Sequence, residues 1–152
     1  MKIQIALAAM AAITLTGSAY AHDQSAAHSD TFGTVTDSKT EDGRPVGPGS
    51  HIMLRAPIAS ADGIEVIISD VIIPPNASVP LHYHPGEEFL YVIEGSAIHV
   101  ESGKDDQILK VGDAYVIPPE AVHAPRGGPE GARAIVFRVH KDGNPERILV
   151  NE

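Results

Sequence analysis

Residues 80–95 read PLHYHPGEEFLYVIEG, and they hold the chain's most concentrated chemistry. His82 and His84 are separated by one residue, so on a strand both imidazoles leave the same face. Pro85 and Gly86 break that strand, and Glu88 opens the next. A hairpin of this kind brings a carboxylate back towards two neutral nitrogens, a competent set for a divalent metal. Glu87 is a register alternative to Glu88. The same residues also suit an ordinary polar turn between strands, since histidine serves structural roles as well.

Residues 112–127 read GDAYVIPPEAVHAPRG, with Gly112, Pro118 and His123 at fixed intervals. Taken together, the two stretches resemble the cupin superfamily. Its first motif, G-x5-H-x-H-x3,4-E-x6-G, is matched from His82 through Glu88 to Gly95 with the shorter spacer. Its second, G-x5-P-x-G-x2-H-x3-N, finds Gly112, Pro118 and His123 in register. The resemblance runs over residues 51–150. Three positions depart from the motifs: Asn76 stands at the leading glycine of the first, and Glu120 and Gly127 replace the glycine and asparagine of the second. Asparagine tolerates left-handed backbone better than most residues.

The resemblance implies that His82, His84, Glu88 and His123 ligate one divalent transition metal ion (Mn, Fe, Ni, Co, Cu or Zn), a choice ligand type alone does not narrow. It also implies a single-domain all-β cupin β-barrel (double-stranded β-helix, or jelly roll), in a family where homodimers built sheet to sheet are common. Four protein ligands on an octahedral ion leave two positions open, as in a catalytic site. The implied function is an exported metalloenzyme acting on a small oxygen-bearing substrate, with dioxygenase-like oxidoreductase chemistry preferred and decarboxylase or isomerase chemistry as relatives. Glu88 is then also the candidate catalytic base. The competing reading is a non-catalytic cupin that binds a small ligand or metal, because fold does not separate the two.

The elements that must position these residues are short. Candidate strands are 52–58, 65–73, 78–83, 89–93, 97–101, 107–111, 114–117, 132–140 and 147–150, with turn residues such as Pro74-Pro75-Asn76, Glu94-Gly95 and Gly127-Gly128-Pro129 between them. Runs of this length and spacing point to an antiparallel barrel or sandwich. Phe89–Ile93 is apolar on both faces and should be buried on both. No segment carries the pattern of an amphipathic helix.

Residues 1–21 have the layout of a cleavable signal peptide: Lys2, the apolar run Ile5–Leu15, and Ala19-Tyr20-Ala21, with cleavage after Ala21. The apolar run is too short to span a bilayer comfortably. A periplasmic or secreted protein, free of the membrane once cleaved, is expected. Residues 22–50 are polar and aperiodic, and read as a flexible N-terminal segment ahead of a cupin domain at 51–150. His22 would become the mature N-terminus and could chelate copper together with its amine and His28, against the plainer reading of a polar tail.

Among 152 residues there is no cysteine, which removes disulfides, thiolate nucleophiles and Cys-type metal sites. The net charge of −9 argues against nucleic acid or an anionic membrane as partner. Of the remaining polar residues, His99 could face the barrel interior or its outer surface, and Tyr91, Tyr115, Arg126 and Arg138 could contact a substrate or merely pack. His51 and His140 have no assignable partner.

Overall fold

A computed structural model describes residues 43–150. The expected leader, its cleavage point, His22 and His28 lie outside the described residues. Within them there are eight strands and no helix: β1 (Gly49–Pro57), β2 (Ile64–Ile73), β3 (His82–Tyr83), β4 (Glu87–His99), β5 (Gln107–Lys110), β6 (Ala114–Ile117), β7 (Arg126–Lys141) and β8 (Ile148–Leu149). All pairings are antiparallel. The six-stranded sheet runs β1-β2-β7-β4-β5, with β6 also on β4, and β3 and β8 form a second sheet. The all-β architecture is therefore as expected. The ladders do not close into a continuous ring; isolated bridges, His82 to His123 and Glu101 to His123, carry the second sheet to the end of β4.

Two turn expectations fail for one physical reason. Glu94-Gly95 does not end a strand, and β4 continues through it with register shifts on either side. Gly127-Gly128-Pro129 likewise lies inside β7. These glycines permit close approach: a Cβ on Gly127 would sit 2.2 Å from the Pro74 carbonyl oxygen, and one on Gly95 would sit 2.1 Å from that of Gly131. A missing side chain at a strand crossing looks, in one dimension, like a turn. Phe89 and Tyr91 also differ from expectation, since both remain about half exposed on the outer face of β4.

The interior changes character along the strands. Ile73, Val79, Val92, Ala97, Leu109 and Ala132 form an apolar cluster. In the register, Ile73 pairs with Ala132, while at the other end of the same ladder Glu65 pairs with His140. Towards that second end the buried residues are polar: Glu65, Ser69, Glu88, Arg138 and His140, with His82, His84, His99 and His123 also buried. The apolar end supplies burial free energy, about 25 cal/mol per Å² of apolar surface. The polar end must satisfy its groups internally or with a ligand.

Ahead of β1, Pro45 is buried and its carbonyl accepts a hydrogen bond from Arg133 at 3.3 Å. Pro45 thus lies against the main sheet.

Candidate metal centre

Backbone pairing brings the two motifs together. The His82 and His123 main chains exchange both bonds, His82 N–H to His123 O at 3.0 Å and His123 N–H to His82 O at 2.8 Å. Residues directly opposed in an antiparallel pair share a face, so both rings point inward, with centroids 4.3 Å apart. His84, two residues on, takes the same face, 4.9 Å from His82 and 5.3 Å from His123. The Glu120 N–H donates to the His84 carbonyl at 2.8 Å and extends the pairing.

Asn76 and Glu120, which replace motif glycines, both adopt left-handed backbone, at φ 58° and 62°. The turn geometry that glycine would favour is kept without glycine.

Each ring of the cluster is fixed the same way. His82 Nδ1–H donates to Pro80 O at 2.6 Å, His84 Nδ1–H to Glu146 O at 2.6 Å, and His123 Nδ1–H to Ala121 O at 2.8 Å. A carbonyl on Nδ1 sets the tautomer and leaves the Nε2 lone pair free for a ligand, the usual outer-shell support of a metal-binding imidazole. One nitrogen from each of His82, His84 and His123 lies within 4.8 Å of the other two. His84 Nε2 and His123 Nε2 are buried and have no hydrogen-bond partner in the protein. Leaving such atoms unsatisfied costs about 1–3 kcal/mol each. Three buried, converging nitrogens fit a divalent transition metal, which removes that cost.

Electrostatics favour the neutral rings. Burial, reinforced by the neighbouring His123, pushes His82 down to about 3 despite its bond to Pro80. Burial also lowers His123. Nitrogens that hold no proton at neutral pH need not release one to bind metal.

Glu88 is buried beside the cluster, with Oε2 3.0 Å from His84 Nε2. Its hydrogen bond comes from Arg138 Nε, which donates to Oε2 at 2.6 Å. Burial works to raise the Glu88 carboxyl, but the Arg138 guanidinium together with His84 and His123 outweighs it and holds the group well below the carboxylate range. The three imidazoles form the converging set, and Glu88 stands next to His84 with Arg138 behind it. Glu87 is exposed and takes no part.

Other sequence candidates separate clearly. His99 is buried, its ring 5.7 Å from that of His123 and 4.8 Å from that of Tyr115. Its Nε2–H donates to Glu101 Oε2 at 3.1 Å, and its buried Nδ1 has no partner. Lys104 Nζ lies 2.7 Å from the other oxygen of Glu101. His140 is buried with Nε2 3.5 Å from Glu65 Oε1. His51 bonds the Gly47 carbonyl at 2.8 Å, and Arg126 is half exposed, 3.7 Å from Asp106. Tyr91 faces outward.

Sequence reasoning missed Glu101 and Glu146 and left Arg138 unranked. Arg138 carried a signal: Val136, Arg138 and His140 alternate along β7, and an inward position held by arginine needs a buried partner. Glu146 orients His84 through its backbone carbonyl, which no side-chain pattern announces.

The family model described as Cupin domain matches residues 69–138. That span contains His82, His84, Glu88 and His123, the residues from which the site is built. The chain is a member of the cupin superfamily. Among characterised proteins, this cupin is 33% identical over 78 residues to the 3-hydroxyanthranilate 3,4-dioxygenase of Mycosarcoma maydis, covering 49% of this chain and 43% of that one. It is 31% identical over 66 residues to the enzyme of the same name from Burkholderia cenocepacia, covering 41% and 37%. The matches thus span less than half of either relative. A solved structure from Klebsiella pneumoniae, an uncharacterized conserved protein with a double-stranded β-helix domain, superposes with a TM-score of 0.52 at 22% identity, covering 72% of this chain and 90% of that one. That likeness concerns the fold.

Proposed function

We propose that this cupin is an exported metalloenzyme of dioxygenase type, acting on a small oxygen-bearing organic substrate, with its two sheets as the faces of a jelly roll. The observation that carries the metal part is the shared arrangement of His82, His84 and His123. Each donates Nδ1–H to a backbone carbonyl and turns Nε2 inward; His123 Nε2 has no hydrogen-bond partner in the protein, and His84 Nε2 faces the Glu88 carboxylate at 3.0 Å. In this reading the three imidazoles hold one divalent transition metal and Glu88 is the fourth ligand. The bound ion supplies Lewis acidity and an open coordination position for substrate oxygen.

The chain's own groups provide the rest. His99 bonds Glu101 through Nε2 and keeps a buried Nδ1 without a hydrogen-bond partner, and in this reading that nitrogen exchanges a proton with a substrate hydroxyl. Such a second polar group favours turnover over simple ligand binding. The apolar cluster with Tyr115 at its edge excludes water from one side. The similarity to two 3-hydroxyanthranilate dioxygenases supports the oxidoreductase reading and the choice of phenolic compounds for the first assays.

The test is oxygen uptake by the metal-loaded protein on a panel of phenolic and dicarboxylic compounds, with and without chelator. Uptake on at least one compound, abolished by chelator and restored by metal, is the expected result. Stoichiometric metal with no turnover on any compound would favour the binding protein instead.

A further inference from the structure

Beside the imidazole cluster, the motif residue Glu88 begins a buried chain of charges that continues through Arg138 and Glu146, both outside the motifs. Glu88 and Arg138 are cross-strand partners on β4 and β7, so their side chains share the inner face. Arg138 is buried, and its Nε donates to Glu88 Oε2 at 2.6 Å. Its Nη1 donates to the Glu146 carboxylate, with Ser69 Oγ farther off at 3.4 Å. Glu146 in turn accepts the His84 Nδ1–H on its backbone carbonyl. Pairing of β8 with β3, Leu149 opposite His82, delivers Glu146 to this place.

We propose that Arg138 and Glu146 are positioning residues that set how strongly Glu88 binds the metal: Arg138 draws on the Glu88 carboxylate, and Glu146 limits that draw by neutralising Arg138. This rests on the metal-binding reading of the site. A carboxylate oxygen that accepts a charge-assisted hydrogen bond has less charge to give a cation. A buried guanidinium beside the site also repels a divalent ion, and the low-dielectric interior screens that repulsion weakly. The two variants Arg138→Met and Glu146→Gln therefore act in opposite directions. Loss of the guanidinium frees Glu88 and tightens metal binding. Loss of the Glu146 carboxylate leaves Arg138 less neutralised and weakens binding, while the backbone carbonyl that orients His84 stays. A purely structural role for the pair predicts weakening in both.

The experiment is Co²⁺ titration of chelator-stripped protein at pH 8, reading affinity and the visible Co²⁺ spectrum, with folding checked by circular dichroism. Arg138→Met is expected to bind Co²⁺ more tightly by about tenfold, the scale on which outer-shell partners move metal affinity, with an altered spectrum. Glu146→Gln is expected to bind more weakly by a similar factor, and Arg138→Lys, which keeps the charge, to stay near wild type. Weaker or unchanged binding by folded Arg138→Met, or an Arg138→Lys that behaves like it, overturns the proposal. If Arg138→Met does not fold, Glu146→Gln decides: unchanged or tighter binding overturns the proposal. Failure of the wild-type protein to bind Co²⁺ at all overturns the metal reading itself, a separate outcome from wild-type binding that these variants do not change.

Discussion

Glu120 holds φ at 62°, in a region where L-residues other than Asn and Asp rarely sit. There its N–H donates to the His84 carbonyl at 2.8 Å, which ties the loop carrying His123 to the residue that follows β3. Replacing Glu120 with glycine relieves that strain, and a gain of about 1 kcal/mol in unfolding free energy is expected. Denaturant melts of the two proteins check it; a loss of stability would mean the glutamate side chain contributes more than its backbone costs. At this scale the sequence was most informative where function needs side chains at fixed spacing. His82 and His84 share a face by the period of a strand, whatever the partner. Glu146 was not legible, because only the fold brings it to His84 and Arg138; Glu101 meets His99 and Lys104, two and three residues away, and was missed because the facing of that segment was not assigned.

The elements show where one-dimensional reading reaches its limit. Strand positions along β2, β6 and the part of β7 from Ala132 onward follow from alternation and β-branched content. The glycines were misread, since a glycine inside a crossing and a glycine in a turn look alike without the neighbouring strand. Gly127 marks the difference: a Cβ there would lie 2.2 Å from a backbone oxygen of Pro74, which has no rotamer to escape into. Gly127→Ala should therefore cost about 2 kcal/mol, the scale of overpacking in a filled interior. A thermal melt tests this, and an unchanged melting temperature would show that β7 and the Pro74 segment separate easily. The link between the two sheets was also beyond the sequence, because it runs through isolated bridges such as those at His123 rather than through any run of residues.

For the molecule as a whole, the polar interior makes stability depend on pH and on metal. The His82 pKa falls from 6.5 in the unfolded chain to about 3 when folded, through burial and the nearby His123. The unfolded chain therefore binds the proton more readily. Stability contributed by this ring is complete above about pH 6.5 and is lost as pH falls towards 3. His123, also lowered by burial, acts in the same direction. The metal-free protein should melt progressively lower as pH falls from 7 to 4; a flat profile across that range would contradict the neutral, buried state of the rings. Metal binds the folded protein preferentially, so chelator should lower the melting temperature at neutral pH, an effect that grows with the free metal originally present.

The central claim is that His82, His84 and His123 together hold one divalent ion. Its most direct test is metal titration of chelator-stripped wild-type protein beside His84→Ala and His123→Ala. The account predicts one ion per chain for the wild type and loss of that stoichiometric binding in both variants, with each still folded. Full metal content in either folded variant, or none in the wild type, would contradict it.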